Sequence, residues 1–250
     1  MHIDTRTSQS RGRIRAPETR RSFLLASAAT GAGLLLADHT PARAAEAAEA
    51  VTATEDLMRE HGVLRRALIL YTEAAQRLRR DAAAVDPRAL LSAAMLFREF
   101  GEDYHERTLE EQHVFPEVRR AGGAAGKLVD TLEAQHRRGR EITEYVLSVA
   151  RRKAIGSSDG VALAGALEGL IRMYRPHAAF EDTVVFPAWK KALPPGQLDE
   201  LAEQFEDIEH ERFGEDGFDA ALERIAAAER ALGLGDLAAF TAPAPPAAPH

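Results

Sequence analysis

The sequence predicts an all-α protein: an antiparallel up-down four-helix bundle with an additional helical segment at its C-terminal end. Three observations predict it. Ala and Leu dominate an apolar fraction of 45%, while aromatic residues make up only 6%, a composition that favours helices over strands. From Val51 onward the apolar positions recur at helical spacing. Short Gly, Pro and Asp clusters cut this stretch into four long segments, and links so short place successive helices side by side in opposite directions.

Taken in order, the first helix is expected at about 53–81, with Leu57, Leu64, Leu68, Tyr71 and Ala75 on its inner face. Asp86-Pro87 opens the second, because Asp caps a helix and Pro suits its first turn. That helix runs to about 120 and stops at Gly122-Gly123. The third covers about 124–153, and the fourth about 160–192, ending at Pro194-Pro195. A shorter helix is expected at 197–213 and a weak one at about 217–232. The Pro/Ala-rich tail from Ala242 to His250 reads as disordered.

The chain has no cysteine, which excludes disulfides, thiolate metal sites and cysteine-held iron–sulfur clusters. A metal site must therefore draw on His, Asp and Glu. The net charge is −7, but residues 1–44 carry seven Arg against Asp4, Glu18 and Asp38, so removing that +4 leaves −11. An acidic body argues against nucleic acid as a partner.

Residues 1–44 read as a signal peptide. A polar, Arg-rich start leads into Phe23-Leu24-Leu25 and a Gly/Ala-rich apolar run to Ala37, followed by Pro41-Ala42-Arg43-Ala44. The apolar run is too short to span a membrane, and the small residues at 42 and 44 suit a signal-peptidase site. The run Thr19-Arg20-Arg21-Ser22-Phe23-Leu24-Leu25 resembles a twin-arginine export signal. That resemblance implies export of an already folded, often cofactor-loaded protein to the periplasm or beyond, with no membrane span kept once the signal is removed.

An internal repeat carries most of the chemical information. Glu110-Glu111-Gln112-His113-Val114-Phe115-Pro116 matches Glu181-Asp182-Thr183-Val184-Val185-Phe186-Pro187, 71 residues later. Upstream of the two lie Tyr104-His105-Glu106 and Arg175-Pro176-His177, and single histidines, His61 and His136, sit in the first and third helices. His177 and Glu181 are four apart and share one helix face, as do Glu106 and Glu110. His105 is five from Glu110 and turned about 100° from Glu106 on a regular helix. Either it binds from a different angle, or a distortion such as a π-bulge brings it in. Imidazoles and carboxylates gathered in a bundle core would cost several kcal/mol per unpaired charge. Cations remove that cost, and this donor set suits pairs of iron or manganese, with zinc also admissible.

Together these motifs, with Asp56-Leu57-Met58-Arg59-Glu60-His61 and Glu133-Ala134-Gln135-His136, resemble the hemerythrin-like, His-His-Glu cation-binding domain over about 52–213. Residues 214–250 then form a weak helix and tail. The resemblance implies a non-haem diiron site in a four-helix bundle, with two carboxylates bridging two Fe ions that are oxo- or hydroxo-bridged, and Mn or Zn as alternatives. The implied ligands are His61, Glu110, His136, His177 and Glu181, with His105 or Glu106 in the remaining role. An O2 or related small diatomic ligand is the implied partner. Two departures matter: the O2 carriers have His where this chain has Arg140, four after His136, and His where it has Glu106. More carboxylate and less imidazole favours ferric iron over reversible O2 carriage.

Around these candidates, Glu111 and Asp182 read as outer partners or surface groups, and His113 and His210 as non-ligands. Phe115-Pro116 and Phe186-Pro187 read as structural, packing a ring and bending the helix. The expected function is a non-enzymatic metal- or gas-binding protein for sensing, scavenging or storage. A diiron oxidoreductase acting on O2, peroxide or nitric oxide is the alternative.

Overall fold

In a computed structural model, residues 51–214 and 217–246 are described. Among them the secondary structure is entirely helical. The expected signal peptide, residues 1–44, lies outside the described residues, as do 247–250 at the end of the tail.

Helix α1 is Ala53–Arg80. Thr52 caps it, its hydroxyl accepting from the Glu55 amide at 3.3 Å. Glu55 and Asp56 in the first turn and Arg77, Arg79 and Arg80 in the last complement the helix dipole. Helix α2 occupies 87–121 and changes character along its length. Pro87–Leu96 is α-helical, Phe97–Val114 is π-helical, and Phe115–Ala121 is α-helical again. Asp86 caps its start by accepting from the Arg88 amide. Gly122, at φ 73°, ends it, in a left-handed conformation that costs Gly little.

Helix α3 is Val129–Ala150, preceded by a helical turn at Gly123–Gly126. The sequence predicts its start at 124; a separate helical turn precedes the regular run instead. Helix α4 occupies 157–192, with Ser157–Phe180 α-helical, Glu181–Val185 π-helical and Phe186–Ala192 α-helical. Helices α5, Gln197–Phe213, and α6, Gly217–Ala231, follow. Residues 241–246 have no regular secondary structure.

Helix α1 packs along α4, α3 packs against α4 and α2, and α2 contacts α1. Helix α6 lies against α1 and the start of α2, burying Phe218, Ala221, Ile225 and Ala228, while α5 packs on α1 and α6. The core is built from Leu57, Leu64, Leu68, Leu70, Tyr71, Phe97, Phe100 and Trp189, each no more than 1% exposed. Contact between α4 and the turn at Ala82–Ala84 that follows α1 is close enough to demand glycine: a Cβ on Gly160 would lie 2.6 Å from Ala82 Cβ. Among the described residues no helix is long and apolar enough to cross a membrane.

Candidate metal centre

The interior between these helices is not uniformly apolar. His61, His105, Glu106, Glu110, His136, His177 and Glu181 are all at most 2% exposed. Six of these seven predicted residues aim donor atoms at one another. Glu110, His136, His177 and Glu181 form one group whose ligand atoms lie within 4.8 Å of each other, and His61, His105 and Glu110 form a second. Glu110 belongs to both. Its Oε1 lies 3.4 Å from His105 Nε2 and its Oε2 3.4 Å from His136 Nε2. Glu181 spans the same gap: its Oε2 is 3.0 Å from His177 Nε2 and 3.5 Å from His61 Nε2, and its Oε1 is 3.8 Å from His136 Nε2. Two histidine pairs, His61 with His105 and His136 with His177, are thus joined by two carboxylates.

Helix geometry explains how α2 contributes twice. His105 and Glu110 are five apart, and the π-helical stretch hydrogen-bonds residue i to i−5, stacking residues at that spacing. The distortion, not a different approach angle, brings His105 in. The prolines help to fix where it ends. Pro116 has no amide to donate, and the preceding Phe115 amide closes on Glu110 O, five back. The repeat reproduces the device in α4, where the Phe186 amide, just before Pro187, closes on Glu181 O. The two Phe rings then stack on ligand imidazoles, Phe115 on His136 at 5.4 Å and Phe186 on His61 at 5.5 Å between centroids.

Each imidazole is held from behind. His61 Nδ1 donates to Asp182 at 2.7 Å, His105 Nδ1 to Glu60 at 2.6 Å, His136 Nδ1 to Glu111 at 2.9 Å and His177 Nδ1 to Gln135 at 2.9 Å. Such bonds fix the tautomer and turn every Nε2 lone pair inward. Glu60 and Gln135 were not singled out by sequence reasoning. The signal was present: each outer acceptor directly adjoins a candidate ligand in sequence (Glu60–His61, Glu110–Glu111, Gln135–His136, Glu181–Asp182) and serves a histidine on another helix.

The inward atoms have nothing among the described residues to bond. His61 Nε2, His105 Nε2 and both oxygens of Glu110 and of Glu181 are buried without a hydrogen-bond partner. The Nε2 atoms of His136 and His177 face each other at 3.2 Å. Lone pairs converging in a dry interior are costly, and a cation is the group that satisfies them together. The residues fit metal ions.

The electrostatics record the same crowding. Burial opposes the charge on His105 and His136, yet Glu110 and Glu60 around the first, and Glu106, Glu110 and Glu111 around the second, raise both well above the ordinary histidine value. Burial and the neighbouring His105 work against His61, but Asp182 and Glu181 outweigh them and raise it. Burial and Glu181 oppose ionisation of Glu110, and His105 and His136 overcome them and hold it low. Burial likewise opposes Glu181, which His177, His136 and His61 hold well below the usual carboxylate range. Glu111 is brought down to about 2 against the effect of burial by His136 and Arg140.

Glu106 lies outside both convergent groups. Its Oε2 is 3.5 Å from Arg140 Nη1, and its Oε1 is buried with no hydrogen-bond partner. Arg140 also binds Glu111 at 2.5 Å. His113 is partly exposed and stacks edge-on to Phe205, and His210 is exposed.

The family model described as the hemerythrin HHE cation binding domain matches residues 52–189. The chain belongs to the hemerythrin HHE cation-binding family. The match spans all six converging residues, from His61 to Glu181, and stops before α5. The chain is also similar to Uncharacterized protein Rv1995 of Mycobacterium tuberculosis and Uncharacterized protein Mb2018 of Mycobacterium bovis. Each is 47% identical over 197 residues, covering 76% of this chain and 74% of the relative. No solved structure matches significantly. The hemerythrin-like domain therefore has a buried His/Glu group able to hold metal cations.

Proposed function

We propose that this chain is an exported, non-haem diiron protein that binds O2, a related small diatomic molecule or iron itself, for sensing, scavenging or storage. One observation carries the reading: two histidine pairs share two fully buried carboxylates, an arrangement suited to two ions side by side. His61 and His105 would hold one iron and His136 and His177 the other. Glu110 and Glu181 would bridge them, and the free Glu106 Oε1 would serve the second. The absence of thiolate and the mixture of imidazole and carboxylate favour iron, with manganese next. Such a pair supplies one-electron redox chemistry and a position for a small ligand. In this reading α1 to α4 form an antiparallel up-down bundle.

The protein's own residues restrict what reaches the site. Every proposed ligand is at most 2% exposed, and Phe115, Phe186 and Tyr174 pack against the rings of His136, His61 and His177. Such packing suits a diatomic molecule or a lone ion over an extended substrate. Arg140 sets a fixed positive charge between Glu106 and Glu111, where the O2 carriers have a further histidine, and this supports binding or storage of iron over reversible O2 carriage. Export rests on Arg20-Arg21 ahead of Phe23-Leu24-Leu25 and on Pro41-Ala42-Arg43-Ala44. Substituting both arginines by Lys should keep the protein in the cytoplasm; export of that variant at the normal level refutes the route. The functional test is anaerobic reduction of the loaded protein followed by O2. A spectral change reversed by deoxygenation means ligand binding, and stoichiometric irreversible oxidation means storage. Sustained turnover with added reductant would show an oxidoreductase and overturn the non-enzymatic reading.

A further inference from the structure

Behind His105 lies a second cluster that the family's ligand set does not use. Asp56 and Glu60 on α1 and Glu209 on α5 offer carboxylate oxygens within 4.8 Å of one another. Glu60 and Glu209 are at most 3% exposed, and the Asp56 side chain keeps 12% exposure. Three contacts occupy oxygens of this cluster. Glu60 Oε2 receives His105 Nδ1 at 2.6 Å. Glu209 accepts the Phe218 amide on Oε1 at 2.6 Å and the Tyr104 hydroxyl on Oε2 at 3.3 Å. The other oxygen of the fully buried Glu60, Oε1, has no hydrogen-bond partner among the described residues.

We propose that Asp56, Glu60 and Glu209 form an all-oxygen site for one hard divalent cation of the calcium class, separate from the His/Glu metal centre. The geometry and the chemistry agree. Oxygens bound to one Ca2+ at about 2.3–2.6 Å can lie up to about 5 Å apart, and three carboxylates with water completing the shell suit this ion. The donors exclude imidazole and thiolate, so the site selects against the softer transition metals. Arg59 lies at the rim, 3.6 Å from Asp56. The exposed edge at Asp56 gives the cation a path in from solvent. Once bound, it ties α5 to α1 and, through Glu60, bears on the imidazole of His105.

The test is calorimetric titration of CaCl2 into the mature, transition-metal-loaded chain. The expected result is one Ca2+ per chain with no loss of transition metal. Glu209→Gln, whose amide oxygen can still accept from the Phe218 amide while its NH2 donates to the Tyr104 hydroxyl oxygen, and Asp56→Asn should each weaken uptake about tenfold or more. Glu168→Gln, at a surface residue paired with Arg79, should bind Ca2+ as the parent does. A second readout is independent of the variants: Tb3+ should show tyrosine-sensitised emission from Tyr104, quenched by added Ca2+. Absence of saturable Ca2+ uptake, unchanged affinity in both carboxylate variants, or Tb3+ emission that Ca2+ does not displace would each overturn the proposal.

Discussion

Loading the metal centre should expel about three protons, and this follows from where the imidazoles sit. A metal ion binds the neutral ring, while His61, His105 and His136 all have pKa values raised above 6.5 by the carboxylates around them. The metal-free protein therefore holds protons on these rings to higher pH than a free imidazole does, and metal must displace them. Each displaced proton makes binding about 1.4 kcal/mol more favourable per pH unit, so three give about 4 kcal/mol per unit for the full complement of ions. The signs for the metal-free protein run the other way. Its histidine contributions to stability are complete below pH 6.5 and fade as pH rises through the raised values. Those of Glu110 and Glu181 are present above 4.5 and fade as pH falls through their lowered values. The metal-free protein should be most stable between about pH 4.5 and 6.5, and the Tm gap between loaded and metal-free protein should widen from pH 6 to pH 8. Calorimetry in buffers of different ionisation enthalpy counts the protons. Release of fewer than one proton per chain, or a Tm gap that does not change with pH, would refute the reasoning.

Other consequences can be checked individually. Glu181→Ala should empty both halves of the centre, whereas His61→Ala should leave one ion bound; elemental analysis of each purified variant distinguishes the two. Asp182→Ala removes the acceptor behind His61 and should weaken metal affinity about 10–100-fold with the ligands intact, read by competition with a chelator. Phe186→Ala opens a void against His61 in the core and should cost about 3–5 kcal/mol in urea unfolding. Gly160→Leu forces a side chain into the Ala82 contact and should cost about 1–3 kcal/mol by the same measurement.

The helical class was legible because the apolar spacing, the Asp86-Pro87 start and the Gly122-Gly123 stop all act locally. The beginning of α3 was read five residues early, since Gly123–Gly126 forms a separate turn whose independence depends on two positive φ angles. The ligand candidates were legible because the repeat wrote the same acidic-Phe-Pro pattern twice. What sequence could not decide was whether His105 approaches from a different angle or is brought in by a distorted helix. That choice depends on 18 residues of π-helix, whose wider turn is sustained by packing of the whole bundle and leaves no local periodicity to read. Glu60 and Gln135 adjoin candidate ligands in sequence, but what each one holds is not local: each acts on a histidine some forty residues away on another helix. Glu209 depends on α5 folding back against α1, which no short-range pattern announces.

The central claim is that this buried array of imidazoles and carboxylates exists to hold cations. Protein purified from the exporting cell under gentle conditions should contain about two transition-metal ions per chain, mostly iron, and should lose several degrees of Tm when a strong chelator strips them at pH 7.5. Protein that arrives without transition metal, and melts at the same temperature with and without the chelator, would contradict the account.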